Sequence, residues 1–221
     1  MILARRDENY RRVLSGFSAR AVDGVGLVWA GFLRGRRPSR LSGADFFEEA
    51  LRFCAARGKE VFFVCRRGGL TDWEKLRAVL CRRHPGLRVR GGDFDPTDTT
   101  AAEKISADAV FCNFGPPEQE FFLSALREEN FSLAVGVGGA FDFFSGRVSR
   151  AGEFWRRLGL EWLWRTICAP RRRWRKFYLS LIVFPAAVLR ERFAAGRSGF
   201  SPRSGCAIMK PKRENSTKRK I

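Results

Sequence analysis

Short apolar runs alternate with amphipathic segments through the middle of this chain. Continuous apolar runs are typical of strands that are buried on both faces of a sheet. Strands are predicted on this basis at residues 61–65, 109–113 and 133–137, and residues 87–90 fit a fourth strand. Other segments repeat apolar residues at helical spacing. This spacing predicts helices at residues 45–57, 71–84, 99–106 and 118–128.

The predicted helix at 71–84 has clear boundary signals. Residues 71–74, TDWE, match a capping box in which Thr71 is the N-cap and Glu74 reaches back to it. A Pro-Gly pair at residues 85–86 ends the helix. The helix before it is predicted to place four residues on one face: Phe47, Ala50, Leu51 and Cys54.

The order of these elements predicts the fold class. The alternation β-α-β-α-β-α-β indicates an α/β protein with a mainly parallel, Rossmann-like sheet and helices on both faces. In such sheets, ligands bind at the carboxyl ends of the strands. Glycine-containing segments are predicted at these ends: residues 66–69, 91–94, 115–117 and 136–139. Each alone is typical of a tight turn, but together they favour a nucleotide-type ligand, because glycine lets backbone N–H groups approach a phosphate.

The chain is strongly basic, and its charge is unevenly distributed. A hydrophobic fraction of 45% excludes a wholly disordered chain, and a net charge of +19 indicates an anionic partner. Residues 165–221 contain 16 basic and 2 acidic residues, whereas residues 1–164 carry a net charge of only +5. We therefore predict an α/β domain at 1–164, a basic helical appendage at 165–197 and a disordered basic tail at 198–221.

The predicted appendage combines an apolar strip with basic flanks. Residues 177–189 are mostly apolar but fall short of the roughly 20 residues that a membrane-spanning helix needs. Basic clusters at 171–176 and 190–192, with Trp174 and Tyr178 nearby, favour a segment that lies on an anionic membrane surface. A core helix with a solvated basic rim is the alternative. Nucleic-acid binding is disfavoured, because no aromatic RNA-binding motif is interleaved with the basic residues.

Cysteine and histidine content limits the chemistry. The six cysteines include no CxxC pair, and His84 is the only histidine. This pattern gives no indication of zinc and excludes chemistry that needs a histidine pair. Most cysteines lie in apolar runs, as buried free thiols do, which indicates a reducing cytosol.

Carboxylates next to glycines or predicted strand ends are candidates for general-base chemistry. They are Asp23, Asp93, Asp95, Glu120 and Asp142. Such residues more often form turns or N-caps. Asp93 and Asp95 also form a D-x-D tripeptide, which can hold a divalent metal. Because the next residues fit an ordinary loop, we prefer the turn interpretation to the metal interpretation.

Seven sequence blocks follow one another in a characteristic order. They are residues 23–30 (DGVGLVWA), 40–43 (RLSG), 84–87 (HPGL), 113–120 (NFGPPEQE), 136–146 (GVGGAFDFFSG), 150–151 (RA) and 159–165 (GLEWLWR). In order and spacing they resemble the WecB/TagA/CpsF family of bacterial glycosyltransferases. The blocks at 113–120 and 136–146 are the most specific.

The resemblance implies an activity and its partners. Members of this family dock on the inner face of the bacterial cytoplasmic membrane. They move an N-acetylmannosamine-type sugar, or a uronic acid relative, from UDP to undecaprenyl-diphosphate-linked N-acetylglucosamine, for cell-surface polysaccharide or teichoic acid. They invert the anomeric centre and are not known to need a metal, so we expect no cofactor. We therefore expect a UDP-sugar donor, a lipid-diphosphate acceptor, an anionic membrane surface and no nucleic acid as partners, and leave a homo-oligomer open.

The resemblance also implies roles for individual residues. Asp23 matches the general base, Arg40 and Gln119 match positions near the diphosphate, and Asp142 matches a position near the nucleotide. The other donor-binding candidates are Asp93, Gly115, Glu120 and Gly138. The candidates for the acceptor diphosphate and the membrane are Arg165, Arg172 and Arg175. Their guanidinium groups would stabilise the charge that develops on departing UDP without a metal.

The chain departs from the family at its N-terminus. The family carries a Thr-x-Asn motif at a strand end before its first helix, whereas residues 2–14 here already match that helix. We therefore expect the domain at 1–164 to lack the N-terminal strand of the family. A non-catalytic remnant that binds UDP-sugar or membrane is the alternative to an active enzyme.

Overall fold

The computed structural model describes most of the first 150 residues. The described residues are 4, 7–21, 28, 31–32, 35, 41–149 and 152, with the backbone of 208–211. The chain divides into two compact units, of which the larger comprises residues 3–20, 43–147 and 207–221. The appendage at 165–197 lies outside the described residues and stays a prediction.

Six strands form one sheet in the larger unit. They are β1 (Ala19–Arg20), β2 (Glu60–Arg66), β3 (Arg88–Phe94), β4 (Ala109–Cys112), β5 (Leu133–Gly136) and β6 (Ile208–Pro211). Their order across the sheet is β1-β6-β5-β4-β2-β3. Strands β2 to β5 pair in parallel, and β6 pairs antiparallel with both β5 and β1. The predicted mainly parallel α/β sheet is confirmed.

Helices connect the parallel strands. The described α-helices are α1 (Glu8–Ser15), α2 (Gly43–Ala56), α3 (Trp73–Arg83), α4 (Glu118–Ser124) and α5 (Ala140–Phe144), and 3-10 turns lie at Thr100–Lys104 and Glu128–Asn130. Helix α1 begins after Asp7, whose carboxylate accepts the backbone N–H of Tyr10 at 3.0 Å. Helix α2 buries Phe47, Leu51 and Cys54, as predicted, whereas the fourth predicted residue, Ala50, is only partly buried.

Two predicted helices are shorter than the pattern indicated. The segment at 99–106 forms only a 3-10 turn, because the Asp98 carboxylate accepts both the backbone N–H (3.1 Å) and the hydroxyl (2.6 Å) of Thr100. Such local bonds compete with a helix. The segment at 118–128 is helical only to Ser124, after which the N–H of Ala125 bonds to the carbonyl three residues back at 3.2 Å.

The N-cap of α3 is Asp72, which corrects the prediction that Thr71 caps this helix. Asp72 has an extended backbone, and its carboxylate accepts the N–H of Lys75 at 2.9 Å. Thr71 is fully buried and bonds elsewhere. The predicted end of the helix is confirmed, since α3 stops at Arg83 with His84 as its C-cap.

Strand β3 is longer than predicted and absorbs one of the predicted glycine loops. Residues 91–94 pair in register with residues 63–66 of β2, so they belong to the sheet. A glycine is needed at position 91, because a Cβ there would lie 2.5 Å from the carbonyl oxygen of Phe63 and 2.7 Å from the ring of Trp73. Strand β3 is an edge strand of the sheet.

The prediction of a disordered tail at 198–221 is wrong for residues 208–211. Their backbone forms β6, in which residue 209 pairs with Val135 of β5 and with Ala19 of β1. Without β6, β5 would present unpaired N–H and C=O groups along one side, and a strand that pairs there satisfies them. The other residues of the predicted tail lie outside the described residues.

A separate apolar cluster covers each face of the sheet. Along β2, Phe63 and Cys65 belong to one cluster, whereas Phe62 and Val64 belong to the other. Helices α2, α3 and α5 contribute to the first cluster, and α1 and α4 to the second, which confirms helices on both faces. Burial in these clusters raises the pKa of three thiols, those of Cys54, Cys65 and Cys112.

Phe47 lies at the centre of the first cluster. It is fully buried, and its ring centroid lies 5.1 Å from that of Phe111, 5.2 Å from that of Phe141 and 5.5 Å from that of Phe144. One side chain of α2 therefore contacts both β4 and α5.

Replacing Phe47 by alanine is expected to lower the free energy of unfolding by about 3–5 kcal/mol, because it leaves a large cavity in the core. Urea denaturation measures this change. The matched control is Phe53→Ala in the same helix, where the side chain is 53% exposed, and a change below about 1 kcal/mol is expected. Equal losses in the two variants would contradict this account of the core.

Candidate functional site

The carboxyl ends of β2, β4 and β5 join in one rim. The backbone N–H of Arg66 donates to Oδ1 of Asn113 at 2.8 Å, and Nη1 of Arg66 donates to the carbonyl of Phe114 at 3.2 Å. The N–H of Val137 donates to the carbonyl of Cys112 at 2.9 Å. These bonds hold together three segments that we call the carboxyl rim: residues 66–72, 113–119 and 137–142.

Gln119 holds the β4 segment of the rim from below. Its side chain is 4% exposed. The side-chain Oε1 of Gln119 accepts the backbone N–H of Gly115 at 3.2 Å. The backbone N–H of Gln119 donates to the carbonyl of Gly115 at 3.0 Å. Gly115 has a φ of 87°, which favours glycine. A Cβ at Gly136 would lie 2.8 Å from Cδ of Gln119, so a glycine in β5 makes room for this side chain.

Glu120 lies beside Gln119 in the interior, with 1% of its surface exposed. Its Oε1 accepts Nε2 of Gln119 at 2.9 Å, and within the part of the chain that the structure describes Oε2 accepts no hydrogen bond. Burial raises the pKa of Glu120, while the Gln119 amide and the Tyr10 hydroxyl act in the opposite direction. The buried carboxyl therefore stabilises the orientation of Gln119 and is not itself on the surface of the rim.

Asp142 connects the β5 segment to the β2 segment. It lies in the first turn of α5, after Gly138, which has a φ of 51°. Its Oδ1 accepts the hydroxyl of Thr71 at 2.8 Å. That hydroxyl is also 2.9 Å from the hydroxyl of Ser145. Asp142 is partly exposed.

Asp93 in strand β3 and Asp95 directly after it both accept hydrogen bonds from nearby residues. Oδ1 of Asp93 accepts the backbone N–H of Trp73 at 2.9 Å, in the first turn of α3. Oδ1 of Asp95 accepts the hydroxyl of Thr97 at 2.7 Å and its backbone N–H at 2.9 Å. The Thr97 hydroxyl is the main reason why the pKa of Asp95 is lowered. The turn interpretation of the D-x-D tripeptide therefore holds for Asp95, whereas Asp93 belongs to strand β3 and caps the first turn of α3.

The described residues contain no group of three or more His, Cys, Asp or Glu side chains close enough to hold a metal ion.

A shallow cavity of about 260 Å³ lies beside the edge strand β3. Its lining consists of Phe62, Trp73, Arg77, Val89, Arg90 and Gly91. Because it includes no predicted donor-binding residue, the candidate site is the rim rather than this cavity.

The structure brings together most of the predicted site residues that it describes. The predicted residues on or directly beneath the rim are Gly115, Gln119, Glu120, Gly138 and Asp142. Asp93 lies near the end of β3, in pairing register with Cys65 of β2. The predicted residues outside the described part of the chain are Asp23, Arg40, Arg165, Arg172 and Arg175.

Two polar residues of the rim were not singled out as site residues from the sequence. Asn113 fixes the end of β2 through the backbone of Arg66, and its position directly after a buried apolar run was the available signal. Thr71 was assigned to a helix cap, and no local pattern indicates its bond to Asp142, which lies 71 positions away.

Comparison with known proteins identifies the class. A glycosyl transferase family model, the WecG/TagA/CpsF family, matches residues 1–198, and the chain belongs to that family. The resemblance recognised in the sequence blocks is thereby confirmed, and with it the assignment as a glycosyltransferase. No comparison favours the non-catalytic alternative.

Two relatives match the sequence of this chain over most of their length. One, from Bacillus spizizenii, is 34% identical over 205 residues, which cover 90% of this chain and 78% of the relative. The other, from Bacillus subtilis strain 168, is 34% identical over 196 residues, which cover 85% of this chain and 75% of the relative. Both are named N-acetylglucosaminyldiphosphoundecaprenol N-acetyl-beta-D-mannosaminyltransferase.

No helix among the residues that the structure describes has the length and apolar character needed to cross a bilayer.

Glu120→Gln is expected to make the protein more stable than the wild type at neutral pH and no more stable at low pH. The raised pKa means that the folded protein keeps a proton that the unfolded chain releases near pH 4.5. Wild-type stability therefore falls as pH rises from that value through the folded pKa, whereas a neutral glutamine avoids this loss. Urea denaturation of both proteins between about pH 4 and pH 8 measures the difference.

The control for this experiment is Glu74→Gln, which neutralises an exposed carboxyl of α3. A stability difference between Glu120→Gln and the wild type that stays constant across the pH range would show that burial of the Glu120 charge has no energetic effect.

Proposed function

We propose that this chain transfers an N-acetylmannosamine-type residue from UDP to undecaprenyl-diphosphate-linked N-acetylglucosamine. The observation that carries the proposal is the match over 90% of the chain to a relative whose name states this acceptor and a mannosaminyl transfer. The product would be a lipid-linked disaccharide for a cell-surface polysaccharide or teichoic acid.

The carboxyl rim supports the binding of a nucleotide donor. Parallel sheets bind ligands where their strands end, and three strand ends are joined there by hydrogen bonds. Gly115 and Gly138 adopt left-handed backbone conformations on the rim, which allow the chain to approach a ligand closely. Asp142 supplies a partly exposed carboxylate that can accept hydrogen bonds from a nucleoside.

The proposed reaction is a single displacement. The carboxylate of Asp23 takes the proton from the acceptor hydroxyl while that oxygen forms a bond to the anomeric carbon of the donor sugar. The bond from the anomeric carbon to the phosphate oxygen breaks on the opposite face, and UDP leaves with the electron pair. One displacement inverts the anomeric centre.

The charge on departing UDP needs stabilisation. We propose that arginines provide it without a metal, because a guanidinium group donates two parallel hydrogen bonds to phosphate oxygens. The residues proposed for this role are Arg40, Arg165, Arg172 and Arg175. Transfer that is insensitive to EDTA would agree with this proposal, and transfer that stops until a divalent metal is restored would contradict it.

Asp23→Asn is expected to lower kcat by about 10²–10⁴-fold, because it removes the general base. The assay is transfer from UDP-N-acetylmannosamine to a lipid-linked N-acetylglucosamine. Its control is an unchanged melting temperature, which shows that the variant is folded. Activity that survives the substitution would reject Asp23 as the base.

We also propose that the chain associates peripherally with an anionic membrane through residues 165–197. Each basic residue near such a surface contributes about 1 kcal/mol. The protein is therefore expected to float with vesicles that contain phosphatidylglycerol and to remain behind with purely zwitterionic vesicles. Replacing Arg172 and Arg175 together by alanine should reduce flotation. Tighter binding to RNA or DNA than to anionic vesicles at equal salt would contradict the proposal.

A further inference from the structure

Thr71 is a fully buried polar residue that precedes α3 but does not cap it. The first turn of α3 already has two side-chain caps, since Asp72 accepts the N–H of Lys75 and Asp93 accepts the N–H of Trp73, both at 2.9 Å. The hydroxyl of Thr71 bonds away from α3, to Asp142 at the start of α5. A buried hydroxyl is costly unless it is paired, so this long-range contact explains its presence.

The direction of this hydrogen bond is fixed by chemistry. An ionised carboxylate only accepts, so Thr71 donates its single proton to Oδ1 of Asp142. The hydroxyl of Ser145 then donates either to Thr71, at 2.9 Å, or to the main-chain carbonyl of Asp142, at 3.3 Å. Oδ1 is therefore occupied from the interior of the protein.

The second oxygen of Asp142 lies near Gly139 of the rim. Oδ2 lies 3.8 Å from the position that a Cβ would take on Gly139, an exposed residue after β5. The hydrogen bonds found within the described part of the chain leave Oδ2 without a donor. One oxygen is thus held and the other is available.

We propose that Thr71 is a positioning residue for donor binding. Its hydroxyl holds Oδ1 of Asp142 so that Oδ2 faces the nucleoside part of the donor and accepts an O–H or N–H group from it. The proposal rests on the proposed function, since it takes the ligand to be a uridine nucleotide. The hydroxyl of Thr71 therefore affects the affinity for the nucleotide and takes no part in the chemical step.

The test is UDP binding by isothermal titration calorimetry, together with donor KM and kcat in the transfer assay. Thr71→Val keeps the size of the side chain and removes the donor, and it should weaken UDP binding about tenfold, which is typical of a hydrogen bond to a charged group. Donor KM should rise by the same factor, with kcat within about twofold of the wild type. Thr71→Ser keeps the hydroxyl and should bind UDP within about twofold of the wild type.

Ser145→Ala is the matched control, because it removes another hydroxyl of the same cluster and leaves the bond from Thr71 to Asp142 in place. It should bind UDP within about twofold of the wild type. In the Asp142→Ala background, Thr71→Val should weaken UDP binding by less than about twofold, because alanine offers no acceptor for Thr71 and no contact to the donor. Should Thr71→Val not fold, Thr71→Ala replaces it in the same cycle.

The outcomes separate this inference from the proposed function. Three results would each overturn the role of Thr71 while the wild type still binds UDP. They are unchanged UDP affinity in Thr71→Val, equal losses in Thr71→Val and Thr71→Ser, and a full loss that persists beside Asp142→Ala. A wild type that binds no UDP and transfers no sugar would overturn the proposed function as well.

Discussion

The parallel register of β2, β4 and β5 determines where chemistry can occur in this protein. Val64 of β2 pairs with Cys112 of β4, and Cys112 pairs with Gly136 of β5, so three strands end at nearly one level. The segments that follow must therefore meet, and the bonds of Arg66 and Asn113 join them. The candidate donor contacts on the carboxyl rim depend on this alignment.

Two buried polar residues support the carboxyl rim. Gln119 and Glu120 are buried beneath it and pair with each other, and burial raises the pKa of the Glu120 carboxyl. Gly136 leaves the space that the Gln119 side chain fills. The hydrogen bond between Gln119 and Glu120 favours one orientation of the Gln119 side chain, because breaking it would leave a buried amide group unpaired.

The sequence predicts what depends on local pattern and misses what depends on distant contacts. The apolar runs locate β2, β4 and β5, and the motif blocks indicate Gln119 and Asp142 as site residues. The TDWE segment offers two capping residues, and the choice of Asp72 follows from the bond of Thr71 to Asp142, 71 positions away. Strand β6 lies in a basic, Gly- and Ser-rich tail, and only its pairing with β5 and β1 reveals it as a strand.

The central claim is a single displacement that joins a mannosaminyl residue to a lipid-linked acceptor. The anomeric configuration of the product, determined by NMR after transfer from an α-linked UDP donor, tests it most directly. One displacement predicts a β-linked disaccharide on the lipid diphosphate. An α-linked product would contradict the account, because retention requires two displacements or a different geometry of attack.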